Sequence, residues 1–301
     1  MTSRTSRFDP LLHDGASGKL LRDLLTRTNF PPAGTKVDLA VSGGPDSMAM
    51  LVLACAASLN VTAYHVDHGL RPESADEGKL VEELCGELHA SFVPLRADLA
   101  DGPNLEARAR AARLALLPPG VLTGHTADDQ AETVLLNLMR GASIDGLSGM
   151  RWSYAKPLLA IRRSETHNLC ITLEIEFAVD PSNQDPRFRR NRVRNELLPL
   201  MNNIAERDVA ALIARETRLI ADDEDLLQML AEAIDVCDAP QLAAAPLPLA
   251  RRAIRRWLAN PYPPDAATVD RVLEVARGAH PGCEIGGGRR VIRSRQRLRL
   301  Q

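Results

Sequence analysis

Apolar positions follow two different rhythms along the chain. In the first part, short apolar runs alternate with stretches of helical period: KVDLAV (36–41), VTAYHV (61–66) and GVLTG (120–124) each read as a strand with a helix to follow. Apolar strands spaced by helical patterns predict a parallel sheet with helices on both faces, a doubly wound α/β fold. After about residue 200 the rhythm changes. IAERDVAALIARETRLIADDEDLLQMLAEAI (204–234) is a long helical segment, PLARRAIRRWLAN (248–260) and DAATVDRVLEVARGA (265–279) are shorter ones, and Pro-rich turns separate them. The GGG at 286–288 has no helix pattern after it and predicts a turn before a strand-like terminal segment. Two domains are expected: an α/β domain over 1–203 and a smaller, mostly helical one over 204–301.

Ligands of doubly wound sheets bind beyond the carboxyl ends of the strands. Three polar stretches fall at that edge: SGGPDS (42–47), HVDHGLR (65–71) and GHTADDQAE (124–132). In the first, a strand breaks into two glycines and a proline and a helix resumes. Such a loop turns backbone N–H groups toward whatever it holds, and the positive end of the helix favours an anion. Ser42, Gly43 and Gly44 permit close approach, Pro45 opens the helix, Ser47 adds a hydroxyl, and Asp46 could meet a phosphate through a metal ion. A plain Gly-Pro turn accounts for the same residues. A Walker loop is excluded, because Gly18-Lys19 is followed by Leu20 and lacks the earlier glycine.

Asp129 and Glu132 lie three apart at the start of a helix, hence on one face, where two carboxylates could hold an ammonium group. Thr126 and Asp129 also have the spacing of a capping box, and acids suit a helix N-terminus, so both readings stand. His125 could line the same cleft, and His65 opens the second stretch. NLEARARAARLALL (104–117) is an Ala-rich helix with Arg110 and Arg113 on one face; an arginine aimed into the cleft could stabilise charge building on a phosphate, while the plain alternative is ordinary i,i+4 pairing.

Composition narrows the class. With 45% hydrophobic and 25% charged residues the chain is that of an ordinary globular protein. No apolar stretch reaches spanning length and MTSRTSRFDPLLHDG has no apolar signal region, so neither membrane nor export is expected. Five scattered cysteines without a C-x-x-C predict reduced, buried thiols of a cytoplasmic protein, with no zinc or iron–sulfur site. The net charge of −2 announces no nucleic-acid binder, yet arginines cluster in RFRRNRVR (187–194), RRAIRR (251–256) and RRVIRSRQRLR (289–299). Such clusters can meet phosphates, or serve as solvated helix faces. Aromatics at 3% leave little for base stacking.

Taken in order, SGGPDS, HVDHGLR, NLEARARAAR, GHTADDQAETVLLNLMRGA, GLSGM, KPLL and DPSNQDPRFRRNRVRNELLP resemble the bacterial tRNA(Ile)-lysidine synthase family. SGGPDS alone points only to the wider PP-loop ATP pyrophosphatases, which also make NAD, GMP, asparagine and thiolated tRNA. The likeness covers residues 36 to about 200; the rest matches only in being helical, and Leu114 stands where the family usually has Tyr. The resemblance implies a PP-loop domain followed by a helical domain that assists tRNA binding. It also implies a carbon–nitrogen ligase reaction using ATP and Mg²⁺. The carbonyl oxygen at carbon 2 of the wobble cytidine in a CAU anticodon is adenylated, and the ε-amine of free L-lysine then displaces AMP. Carried onto these residues, it implies that Ser42, Gly43, Gly44, Pro45, Asp46 and Ser47 hold the ATP pyrophosphate, with Asp46 on the magnesium and His65 and His125 beside the nucleotide. Asp129 and Glu132 match the lysine-binding acids, and Arg110 or Arg113, with one of Arg192 and Arg194, the arginines that steady the adenylate and the RNA. Asp180 and Asn183 of DPSN fall in a motif of mainly structural role. The implied partners are tRNA(Ile) and lysine, with a homodimer left open. The rival readings are a tRNA thiolase, an ammonia-dependent amidotransferase and a non-catalytic nucleotide-binding module.

Overall fold

The computed structural model describes residues 16–67, 74–97, 105–180, 184–260 and 262–301, without the side chains of 74, 75, 105–107, 109 and 110. The chain forms two compact units, Met1–Arg218 and Leu219–Gln301.

The first unit runs α1 (Ala16–Arg27), β1 (Lys36–Ala40), α2 (Pro45–Ala56), β2 (Asn60–Asp67), α3 (Ser74–Glu87), β3 (Ser91–Arg96), α4 (Leu105–Leu116), β4 (Leu122–Thr123), α5 (Ala127–Met139), α6 (Ile144–Leu147), α7 (Arg163–Thr172), α8 (Arg189–Arg192), a π-helical turn (Val193–Leu197) and α9 (Leu198–Ala205). The strands lie in the order β3-β2-β1-β4, all parallel, with Ala40 opposite both Tyr64 and Thr123. This is the parallel α/β sheet expected. Chain order steps outward from β1 to β3 and then returns to β4 on the far side of β1. The topological switch therefore falls between β1 and β4, where such sheets bind ligands.

Burial follows the pattern. β1 alternates Val37 and Leu39 inward, and α2 is apolar all round, burying Met48, Ala49, Met50, Leu51, Val52, Leu53 and Ala54. Helix α2 fills the centre of the core, packed by α1 and α7. Strand β3, SFVPLR, carries no clear alternation and a proline at its centre, and the periodicity did not predict it. As an edge strand it can forgo the N–H that Pro94 lacks.

Helix α10 (Val209–Glu232) gives its first turns to the first unit, where Ala210 and Ile213 pack with Ala131, Leu135 and Val193. The division between units therefore lies further along the chain than the change of pattern at 203/204. The second unit continues with α11 (Ala239–Ala244), α12 (Leu247–Leu258) and α13 (Ala266–Arg277), then β5 (Gly282–Gly286), β6 (Arg289–Ser294) and β7 (Arg297–Leu300) in an antiparallel sheet. Helix α13 starts on an Asp265 cap and stops at Gly278, whose φ of 87° a side chain would resist. The glycines at 286–288 turn β5 into β6, so the segment expected to be strand-like is a full hairpin and meander.

Close approach at the switch point puts a size limit on Gly124. A β-carbon there would stand 3.0 Å from the Asp46 carbonyl oxygen and 3.2 Å from the Ser47 α-carbon. Gly124→Ala should push β4 and the SGGPDS loop apart, lowering stability by about 1–3 kcal/mol. Thermal unfolding reads the effect, and an unchanged melting temperature would show that the loop has slack.

Candidate active site

The loop after β1 is tied internally. Ser42 N–H donates to Ser47 Oγ at 3.1 Å, Ser47 Oγ donates to the Gly44 carbonyl at 2.9 Å, and Gly43 adopts a φ of 82°. Ala178 N–H holds the Gly43 carbonyl at 2.9 Å. Gly44, the residue before Pro45, caps α2 with no side chain, which leaves the helix start open to an anion. The buried His65 of β2 donates from Nδ1 at 2.9 Å to the carbonyl of Val41, the residue just before the loop, and so clamps the end of β1.

Beside it, α5 begins at Ala127. Asp129 divides its two oxygens between the two readings of the sequence. Oδ2 accepts from the Thr126 backbone N–H and hydroxyl, both at 2.9 Å, and so caps the helix. Oδ1 faces the cleft and accepts from Arg163 and Arg190, both at 2.9 Å. Glu132, fully buried, accepts from Arg163 at 3.0 Å and Arg194 at 2.7 Å on Oε1, and from Arg190 at 2.6 Å and Arg194 at 3.1 Å on Oε2. Between the two acids, Gln130 fixes the roll of α5: its amide bonds the Met150 N–H at 2.8 Å, the Met150 carbonyl at 3.1 Å and Thr217 Oγ1 at 3.1 Å.

Arg163 joins the two halves. Its Nε donates to Asp46 Oδ2 at 3.2 Å while its terminal nitrogens hold Glu132 and Asp129. The backbone of Arg163 is itself anchored, its N–H donating to Asp128 Oδ2 at 2.7 Å. Asp128 also takes a two-pronged bond from Arg162, both arms 2.9 Å, and Arg162 reaches Asp208 as well. Thr166, on the next turn of α7, donates to Asp46 Oδ1.

The charges obey this geometry. Burial works to raise the Asp129 carboxyl, but Arg163, Arg190 and the Thr126 N–H outweigh it and hold the group down at about 2. At Asp46 burial wins over Arg163 and Thr166, and the carboxyl is raised. Burial opposes the charge on Arg163, yet Asp129, Glu132 and Asp46 together hold it above the ordinary guanidinium value.

Of the residues singled out in the sequence, Asp46, Asp129, Glu132 and Arg194 thus meet in one hydrogen-bonded cluster. His125 pairs through Nδ1 with Thr123 Oγ1 at 2.8 Å. Arg192 points elsewhere, exposed and paired with Glu196 at 2.8 Å. Arg113 is half-buried on α4, and the Arg110 side chain and Asn183 lie outside the described residues. Arg163, Arg190 and Thr166 were not foreseen. The spacing of Arg190 and Arg194, four apart and so on one helical face, held a signal for one of them. The other arginine clusters are partly neutralised: Arg251 meets Asp270, Arg252 meets Glu224, Arg256 meets Glu232 and Arg297 meets Asp235.

Among the described residues no three His, Cys, Asp or Glu gather as a ligand set. Mg²⁺ asks for less, because it binds through one or two carboxylates and completes its shell with water and phosphate oxygens. Asp46 and the hydroxyls of Ser42 and Ser47 are oxygen donors of the kind such an ion takes, carried on one loop, and in the empty site the Asp46 oxygens accept from Arg163 and Thr166. Burial pushes the Cys55, Cys85 and Cys170 thiols up to about 12. Among the described residues no helix is long and apolar enough to cross a membrane.

Two family profiles match the chain, a PP-loop domain over residues 19–201 and a TilS substrate binding domain over residues 238–299. The tRNA(Ile)-lysidine synthase of Nocardia farcinica is 37% identical over 296 residues, covering 90% of this chain and 93% of that one. The protein of the same name from Rhodococcus erythropolis is 37% identical over 289 residues, covering 88% and 89%. Among solved structures, the U34-tRNA thiolase NcsA of Methanococcus maripaludis, with its [4Fe-4S] cluster, shares the fold at a TM-score of 0.52 and 19% identity, over 68% of this chain and 78% of that one.

The Asp129 carboxyl gives a pH test. Its folded value lies below the ordinary ~3.9, so its ion pairs stabilise the fold above about pH 4, and that contribution is lost as pH falls toward about 2. Wild type should exceed Asp129→Asn by about 2 kcal/mol in urea unfolding near neutrality, and the gap should close between pH 4 and 2. A gap independent of pH would assign the effect to packing.

Proposed function

The chain belongs to the tRNA(Ile)-lysidine synthase family, and on that premise we propose how its residues divide the two chemical steps. The SGGPDS loop takes the ATP pyrophosphate, with Asp46 as the ligand of Mg²⁺. Asp129 and Glu132 bind free L-lysine as a cation. His65 and His125 flank the nucleotide, and Arg110 or Arg113, with Arg194, meets charge on the adenylate. The observation that carries this reading is the single guanidinium of Arg163 spanning Asp46 and both acids. The ATP loop and the cation seat are one site.

The family reaction needs both. In the first step the oxygen at carbon 2 of the wobble cytidine bonds the α-phosphorus and pyrophosphate leaves. Positive charge must meet the phosphate oxygens as they crowd, and Mg²⁺, when bound, supplies part of it. In the second step the lysine ε-nitrogen bonds carbon 2, the bond from that carbon to the adenylate oxygen breaks, and AMP departs with the electron pair. Lysine arrives protonated, with a side-chain value near 10.4, and an ammonium has no lone pair to give. Asp129, ionised in the empty site, can hold that cation, and the proton has to leave before the nitrogen attacks. The second unit, with the exposed Arg187, Arg189 and Arg192, meets the tRNA backbone, and the protein works in the cytoplasm. Stacking plays little part.

ATP-dependent incorporation of labelled lysine into a tRNA(Ile) transcript with a CAU anticodon tests the activity, beside the same transcript with U at the wobble position. Label is expected in the first alone; AMP release without label in either would favour a thiolase or amidotransferase. Asp46→Ala should abolish AMP formation. Glu132→Ala should keep tRNA-dependent pyrophosphate release and lose lysine transfer by about a hundredfold or more; unchanged lysine dependence would leave Glu132 a structural acid.

Two arginines separated by geometry should separate in function. Arg192→Ala should weaken tRNA binding and lower its salt slope by about one, whereas Arg194→Ala should act on the chemical steps with the slope unmoved. Equal slopes for Arg192→Ala and wild type would place the RNA elsewhere.

A further inference from the structure

The seat for the lysine cation is already filled. A carboxylate offers about four acceptor positions, and Glu132 uses all four on guanidinium donors: Arg163 and Arg194 on Oε1, Arg190 and Arg194 on Oε2. Asp129 gives Oδ2 to the helix cap and Oδ1 to Arg163 and Arg190. A lysine ammonium can enter only where a guanidinium leaves.

Charge balance says when. Among the described residues Asp46, Asp129 and Glu132 face Arg163, Arg190 and Arg194, three negative groups against three positive. Adding lysine to this neutral cluster would bury an uncompensated cation, which is costly. A triphosphate arriving at the SGGPDS loop adds negative charge next to Asp46. Of the three arginines, Arg163 is the one bonded to Asp46. Its backbone is pinned through Asp128, so its side chain is the part able to move, and phosphate oxygens bind a guanidinium fork strongly.

We propose that Arg163 is a positioning residue that couples the two substrates: it occupies the acid pair in the free enzyme and passes to the phosphates of bound nucleotide, opening the seat for lysine. The inference rests on the reading of Asp129 and Glu132 as the lysine seat. It makes lysine binding conditional on nucleotide, which protects lysine from futile binding before an adenylate can form. By linkage, lysine must favour nucleotide by the same factor.

Titration calorimetry of lysine into the full-length protein, with and without a non-hydrolysable imidodiphosphate analogue of ATP and Mg²⁺, reads the coupling as a ratio of affinities. Wild type should gain about tenfold or more in lysine affinity with the analogue. In Arg163→Gln the ratio should fall to about one, with lysine alone binding more tightly than to wild type. Arg163→Lys, a second variant should glutamine not fold, keeps the charge but cannot fork across both loops, and should also lose most of the ratio. A purely structural arginine would shift both affinities together and leave the ratio intact. Wild-type binding that the analogue does not improve, or a wild-type ratio kept in either variant, overturns the coupling. Glu132→Gln tells the two failures apart. Lysine binding lost there while Arg163→Gln keeps the ratio retires the coupling and leaves the seat; lysine binding that survives retires the seat and the coupling with it.

Discussion

Burying two carboxylates on one helical turn is the constraint around which the first unit is organised. Glu132 has no exposed surface, and Asp129 has little. An unpaired carboxylate in such a place costs several kcal/mol, so cations have to come to it. They come from two distant parts of the chain, Arg163 from the start of α7 and Arg190 and Arg194 from the segment after residue 184. Those segments are placed by what they must neutralise. The Asp128–Arg162 fork sets the start of α7 against the start of α5, while the Glu165 cap fixes the first turn of α7 and the Arg27–Glu165 pair ties it to α1.

The sheet supplies the other half of the arrangement. Reversal of strand order at β1 opens a crevice between the loops after β1 and β4, and Gly124 lets those loops touch at backbone distance. The SGGPDS loop and the acid pair are thereby held one side chain apart, that of Arg163. Neither loop alone could do this. The cradle without the acids would serve any PP-loop enzyme, and the acids without the cradle would be a capped helix N-terminus.

This division explains what could be read from the sequence. Strands β1, β2 and β4, the SGGPDS loop and the acid pair depend on neighbours a few residues away, and their patterns are local. Strand β3 escaped because Pro94 breaks the alternation, and only its edge position makes that harmless. Arg163 was hidden for a different reason. In KPLLAIRRSE it reads as an ordinary basic residue opening a helix, and its contact with Asp46 spans 117 residues. No short-range pattern carries that information. Of the alternatives Arg192 and Arg194, two residues apart and so facing opposite ways on a helix, Arg194 bonds Glu132 with Arg190 on the same side, and Arg192 lies in solvent.

The same reasoning bears on why one fold supports different reactions. A PP-loop can activate a carbonyl or amide oxygen as an adenylate, and the product then depends on the nucleophile delivered next to it. A sulfur nucleophile calls for accessible thiolates or a cluster; here burial pushes the Cys55, Cys85 and Cys170 thiols up to about 12. An ammonia nucleophile needs no charged seat and no arginines to guard it. An amine that arrives as a cation needs carboxylates deep enough to be selective, and depth obliges the protein to neutralise them while the site is empty. On the proposed reading the arginine cluster follows from the choice of nucleophile, and the shift of Arg163 becomes part of every turnover.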